Sequence, residues 1–191
     1  MRNEKGFTLI EILAVVIILG IIMIITIPAV SNYIISSNRS AYASDLAAYI
    51  ETVRAEYEMK DYGRYITENE IMIVPLQYIK LDKGDNLSSP FGDYVFDQCY
   101  AIIIAERKGF QVYISAVDNN GIGAIMKSYN EMKKEAIEDN VSNNIMSLTK
   151  IMSSDSSHPY VFLEKNYVYS STRDIKKTEY SDAKVIILSK V

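Results

Sequence analysis

The sequence predicts an α+β protein in which one long N-terminal helix, hydrophobic at first and amphipathic later, packs on an antiparallel β-sheet head. Three observations lead there. Residues Phe7 to Val30 form a run of 24 in which only Thr8, Glu11, Gly20, Thr26 and Pro28 interrupt the apolar side chains. Ser31 to Lys60 then contains neither Pro nor Gly and repeats apolar residues near the helical period. Beyond about Asp61, short apolar runs alternate with Asn, Asp, Ser and Gly turns. A helix laid on an antiparallel sheet is the layered solution that buries both kinds of apolar face.

The first element has membrane length, because 24 residues at ~1.5 Å each cross a hydrocarbon core of about 30 Å. Arg2 and Lys5 precede it against a single Glu4, which favours a cytoplasmic N-terminus and an outside location for everything after about Ser31. A secretory signal would have an apolar core of about 7–15 residues and a small-x-small cleavage site close behind it. Here the nearest such site, Ala41-Tyr42-Ala43, lies well past the run. A plain membrane anchor accounts for the length but leaves Glu11 unexplained, since a carboxylate in an apolar segment needs water or a partner.

The string Lys5-Gly6-Phe7-Thr8-Leu9-Ile10-Glu11, followed directly by Ile12 to Leu19, resembles the class III signal of type IV prepilins and their pseudopilin relatives. The resemblance implies a leader peptide over 1–6, cut between Gly6 and Phe7 by prepilin peptidase, and N-methylation of the new terminus at Phe7. It makes Glu11 the residue of assembly and methylation, and Gly20 and Pro28 the helix-weakening positions of the stem. It further implies a helix over 7–60, with 7–30 as transmembrane segment and later filament core, and an α+β head of pilin fold over 61–191. The partners it implies are other copies and other pilins in a helical filament, the peptidase/methyltransferase, a pilus assembly platform and cytoplasmic-membrane lipids. The location is a single-pass membrane protein with its head outside, then an extracellular pilus or pseudopilus.

The residues give these roles a physical basis. A buried ammonium and a buried carboxylate are each costly alone and tolerable as a pair. Glu11 lies one helical turn beyond Phe7, so the amine could meet the carboxylate of its own chain or that of a neighbour. Head-to-tail contacts of the second kind, repeated without closing a ring, generate a helical filament. Pro28 has no N–H for the carbonyl of Ile24, and Gly20 lowers helix propensity, so the stretch between them is where the stem would kink or locally unwind.

Past the membrane run, Ile34, Ile35, Ala41, Tyr42, Leu46, Tyr49, Ile50, Val53 and Tyr57 mark one apolar helical stripe. The head begins with a stretch around Pro75 that reads as a short helix over about Thr67 to Leu81. Leu87 to Asp93 reads as a loop, and Pro90-Phe91-Gly92-Asp93-Tyr94 resembles the entry to the sheet in many pseudopilins and Gram-positive pilins. Tyr94 to Glu106 and Phe110 to Val117 are expected to form a hairpin through Arg107-Lys108-Gly109. The turn Asp118-Asn119-Asn120-Gly121 leads into a third strand over Ile122 to Met126. Ser128 to about Met152 reads as a helix, and Tyr160 to Leu163, Tyr167 to Ser170 and Lys184 to Leu188 as further strands.

No enzymatic equipment is evident, and no catalytic residue, metal ligand set or cofactor site is assigned. The one histidine, His158, lies in a Ser-Ser-His-Pro loop without metal-ligand spacing. Cys99, the lone cysteine, reads as a small core residue and excludes an intrachain disulfide. Asp118 to Gly121 lacks the EF-hand spacing and reads as a turn, and Asp174, Glu179 and Asp182 form no compelling calcium pattern. Net charge is −4, and loss of the leader leaves 18 basic against 23 acidic residues, or −5. The basic clusters Arg107-Lys108, Lys133-Lys134 and Arg173 to Lys177 are small, so no nucleic-acid partner is expected. Two roles stay open beside the pilus subunit: a pseudopilin of type II secretion or DNA-uptake machinery, and a minor tip pilin acting as a membrane-tethered adhesin.

Overall fold

The computed structural model describes residues 6–59, 70–79, 81, 88–107, 109–153, 160–162, 167–170, 176–177 and 184–190, with side chains described through residue 153 except at Glu70. The basic leader residues, His158, Asp174, Glu179 and Asp182 lie outside them. The chain falls into two compact units, Met1–Asn38 and Arg39–Val191. The first contains the start of helix α1, Leu9–Met59. α1 passes through Gly20 and Pro28 as helix, and Thr26 Oγ1 donates to the carbonyls of Ile22 (3.0 Å) and Met23 (3.4 Å).

The second unit is a helix-on-sheet head. Its strands are β1 (Glu70–Pro75), β2 (Tyr100–Glu106), β3 (Gly109–Val117), β4 (Gly123–Ser128), β5 (Tyr160–Phe162), β6 (Tyr167–Ser170), β7 (Lys176–Lys177) and β8 (Lys184–Lys190). All described pairings are antiparallel, in the order β4-β3-β2-β1-β8-β6-β5, with β7 on β8. The meander β2-β3-β4 and strands β5, β6 and β8 match the sequence expectation, and β7 is an addition to it. β5 is described through Phe162, and Leu163 lies outside the described residues.

Alternation along the strands divides the core in two. Met72, Ala101, Ile103, Val112, Ile114 and Ala116 face the α1 side, where Tyr42, Ala43, Leu46, Tyr49, Ile50, Val53 and Tyr57 are buried against them. Ile71, Ile73, Tyr100, Ile102 and Val117 face the opposite side, under Val141, Ile145, Leu148 and Ile151. The runs in β1 and β2 are apolar at nearly every position because both faces are covered. On α1, Ile34, Ile35 and Ala41 are exposed, and Ala43 takes the place in the buried stripe expected for Ala41.

Three expected elements are corrected. The stretch expected as helix around Pro75 is instead strand β1 followed by one 3-10 turn, Leu76–Tyr78. Its β-branched residues are claimed by two neighbours, with Ile73 opposite both Ile102 of β2 and Ile186 of β8. Tyr94 to Cys99 is not strand but a bridge at Tyr94 and a 3-10 turn, Phe96–Gln98. The helix expected over 128–152 reduces to 3-10 turns at Tyr129–Glu131 and Lys134–Ala136 and a short helix α2, Leu148–Met152. Its apolar residues serve opposite sides of the sheet, Met132, Ala136 and Ile137 on the α1 side and Val141 to Ile151 on the other. One helical face cannot do both.

Candidate functional site

The resemblance places the functional residues at the start of α1. Helix begins at Leu9, so Thr8 is its N-cap and Glu11 its third residue. Thr8 N–H donates to Glu11 Oε2 at 2.7 Å, Thr8 Oγ1 donates to the same oxygen at 2.8 Å, and Glu11 N–H reaches Thr8 Oγ1 at 3.4 Å. This is a capping box, in which N-cap and third-residue side chains satisfy each other's otherwise orphaned N–H groups. A carboxylate in the first turn also sits favourably at the positive end of the helix dipole. The carboxylate that looked anomalous in an apolar run thus has partners within its own helix. Thr8 was missed as a functional residue, although Thr8-x-x-Glu11 ahead of an apolar run is a legible capping-box pattern.

Around this cap the surface is apolar. Phe7 is 84% exposed and Leu9 89%, and large hydrophobics from Ile10 to Val30 are exposed as well. The helix is long and apolar enough to cross a membrane, with the spanning window unburied. Gly6 lies outside the helix, two residues before Thr8. A side chain at Gly20 would meet nothing within 4 Å. So much lateral apolar surface requires a lipid or protein environment.

The other sequence candidates lie in the head. Cys99 is a buried free thiol, its Sγ 3.3 Å from the Val117 carbonyl, and burial pushes its pKa up to about 12. Asp118, in the turn weighed for calcium, is 1% exposed and occupied. Its Oδ1 accepts from the N–H groups of Asn120 (2.9 Å) and Ile122 (3.0 Å), and its Oδ2 accepts from Ser89 Oγ (2.6 Å). Ser89 Oγ accepts in turn from Phe91 and Gly92 N–H, and Asn120 Nδ2 donates to Phe91 O. A Cβ on Gly92 would meet the side-chain ends of Asn119 and Asn120, so the loop and the turn pack directly on each other there. The segment Pro90 to Tyr94 and the turn after β3 are therefore one interlocked structure. Among the described residues no group of three or more His, Cys, Asp or Glu could hold a metal.

A capped carboxylate at the head of an exposed, membrane-length helix that continues into an antiparallel α+β head defines a pilin-like arrangement. Comparison with known proteins agrees. Residues 1–27 match the family model described as the prokaryotic N-terminal methylation motif. The chain is 37% identical over 93 residues to a ComG operon protein 3 homologue of Bacillus licheniformis, covering 47% of this chain and 86% of that protein. It is 44% identical over 48 residues to both the type IV major alpha-pilin and fimbrial protein Q of Moraxella bovis, covering 25% of this chain and 30% and 31% of theirs. No solved structure matches. The chain belongs to the type IV pilin and pseudopilin family.

Proposed function

We propose that the chain is a structural subunit of a type IV pilus-like filament, made as a membrane-inserted prepilin with its N-terminus cytoplasmic and its head outside. Residues 1–6 are removed after Gly6, Phe7 is N-methylated, and the stem over 7–30 passes from bilayer to filament core. The 61–191 region is its head. The observation that carries this reading is the Thr8–Glu11 cap at the base of an exposed apolar helix. Cleavage creates a cationic amine at Phe7, next to the Thr8 N–H that already holds the carboxylate. A neighbour's amine could replace or join Thr8 at Glu11, so the cap keeps the carboxylate satisfied until a partner arrives and pins the register. Gly20 and Pro28 are the proposed points where the stem yields. No catalytic role belongs to this reading, and the partners are other pilins, the processing enzyme, the assembly platform and membrane lipid.

Intact-mass measurement of the membrane-extracted protein tests the processing: the expected mass lacks Met1 to Gly6 and carries one added methyl. A full-length mass, or one starting after Ala43, overturns it. A second reading, a pseudopilin of secretion or DNA-uptake machinery, is favoured by the match to 86% of the ComG operon protein 3 homologue, against under a third of each Moraxella pilin. Subunit counting in sheared filaments separates the two. An abundant repeating subunit marks the pilus, and a trace one marks a pseudopilin or a minor tip pilin.

A further inference from the structure

The turn after β3 contains the chain's one Asn-Gly pair, Asn120-Gly121. Asparagine is a chemically labile side chain, and a following glycine has no Cβ to hinder attack on it. The Gly121 backbone nitrogen gives up its proton and attacks Asn120 Cγ, the Cγ–Nδ2 bond breaks, and ammonia leaves as a succinimide ring closes. Water then opens the ring at either carbonyl, giving aspartate or isoaspartate. Asn120 is exposed to the water and hydroxide this reaction uses.

The fold holds every reacting group away from that path. Asn120 Nδ2 donates to the Phe91 carbonyl at 2.6 Å, and Gly121 N–H, the nucleophile, donates to the Asp118 carbonyl at 2.9 Å. The Gly121 carbonyl accepts from Val141 N–H at 2.9 Å, and Gly121 itself sits at φ +78°. Ring closure requires rotation on both sides of the Asn120 Cα, so the bonds to Phe91 and Asp118 must open and the Gly121 peptide must turn against Val141. Phe91 is held in turn by Ser89 Oγ, which accepts its N–H at 3.0 Å and donates to Asp118 Oδ2 at 2.6 Å. We infer that Asn120-Gly121 is a deamidation site gated by the Pro90 to Tyr94 loop, intact while loop and turn are locked and converted once they part. Conversion runs one way. The product carboxylate has no N–H for the Phe91 carbonyl and sets oxygen against oxygen there, and isoaspartate also reroutes the backbone through the side chain.

The experiment holds the detergent-solubilised full chain in mildly alkaline buffer, once folded and once in guanidinium chloride. Peptide mass spectrometry with isoaspartate detection follows conversion at Asn120. The unfolded chain is expected to convert at least about tenfold faster, the factor set by a local opening that breaks two hydrogen bonds. Ser89→Ala, which loosens the loop and leaves both reacting residues untouched, should convert faster than the folded wild type. Asn120→Asp, which carries the product side chain, should unfold at a lower temperature than the wild type. Equal rates in the folded and unfolded wild type, or no conversion in the unfolded chain, overturn the proposal, and this comparison does not depend on either variant folding. A folded Ser89→Ala chain converting at the wild-type rate removes the loop as the gate.

Discussion

At the scale of single residues, two carboxylates in apolar or buried surroundings are held by hydrogen-bond donors of their own chain. Glu11 is paired with Thr8, and Asp118 with Ser89 and two turn amides. Thr8→Ala should therefore cost about 1 kcal/mol of helix capping and take the hydroxyl from Glu11, leaving it the residue-8 N–H alone. Filament yield is expected to fall while the membrane-bound pool persists, and Thr8→Ser should restore it; immunoblots of sheared and membrane fractions read both. Asp118→Ala strands three donors, one of them on the buried Ser89, at about 1–3 kcal/mol, visible as a lowered unfolding temperature. For Cys99 the sign follows from its raised pKa. The folded state favours the thiol over the thiolate, so its stabilising contribution is whole below the unfolded value near 9 and fades as pH rises toward about 12. The wild-type chain should lose stability over that window more steeply than Cys99→Ala, as followed by alkaline unfolding.

Individual elements differ in how far their own sequence determines them. α1 was legible because one segment carries both the membrane-length run and the stripe from Tyr42 to Tyr57, and the cleavage-and-cap signature is contiguous in sequence. β2, β3 and β4 were legible because tight turns join neighbours. β1 was not, since Ile71 to Ile73 become strand between two partners, β2 and the far more distant β8. The 128–152 segment failed for a related reason: its apolar spacing imitates a helix face, yet its two halves serve opposite faces of the sheet. Asn140 marks the break, with φ +59° beside the bridge of Glu138 to Gly123. Side chains tie down the second half, as Gln98 Nε2 donates to the carbonyls of Ser142 and Ile145 and Tyr100 Oη to that of Met146. A β-branched residue resists the left-handed region, so Asn140→Val should destabilise the head by about 1–2 kcal/mol. Asn140→Gly should be close to neutral. Chemical denaturation of the two variants distinguishes this from a continuous helix, in which valine would be tolerated better than glycine.

At the scale of the whole molecule, strand order constrains how the head is made. β8, the last described strand in sequence, lies between β1 and β6, so the first and last strands of the head are neighbours in the sheet. Residues 70–75 cannot complete their pairing until residues 184–190 arrive, and until then β1 presents an open apolar edge. If the head is delivered across a membrane behind an N-terminal anchor, its sheet closes only at the end of delivery. A chain ending at Ala183 should therefore keep its apolar N-terminal helix and the proposed processing at Gly6 while its head becomes sensitive to protease. The β2-β3-β4 meander, which draws on β8 for none of its pairings, should yield the more resistant fragments. Limited proteolysis of membranes, read by mass spectrometry, checks the order of cleavage. First cuts within β2 or β3 would show that the sheet is not organised around a late-arriving β8.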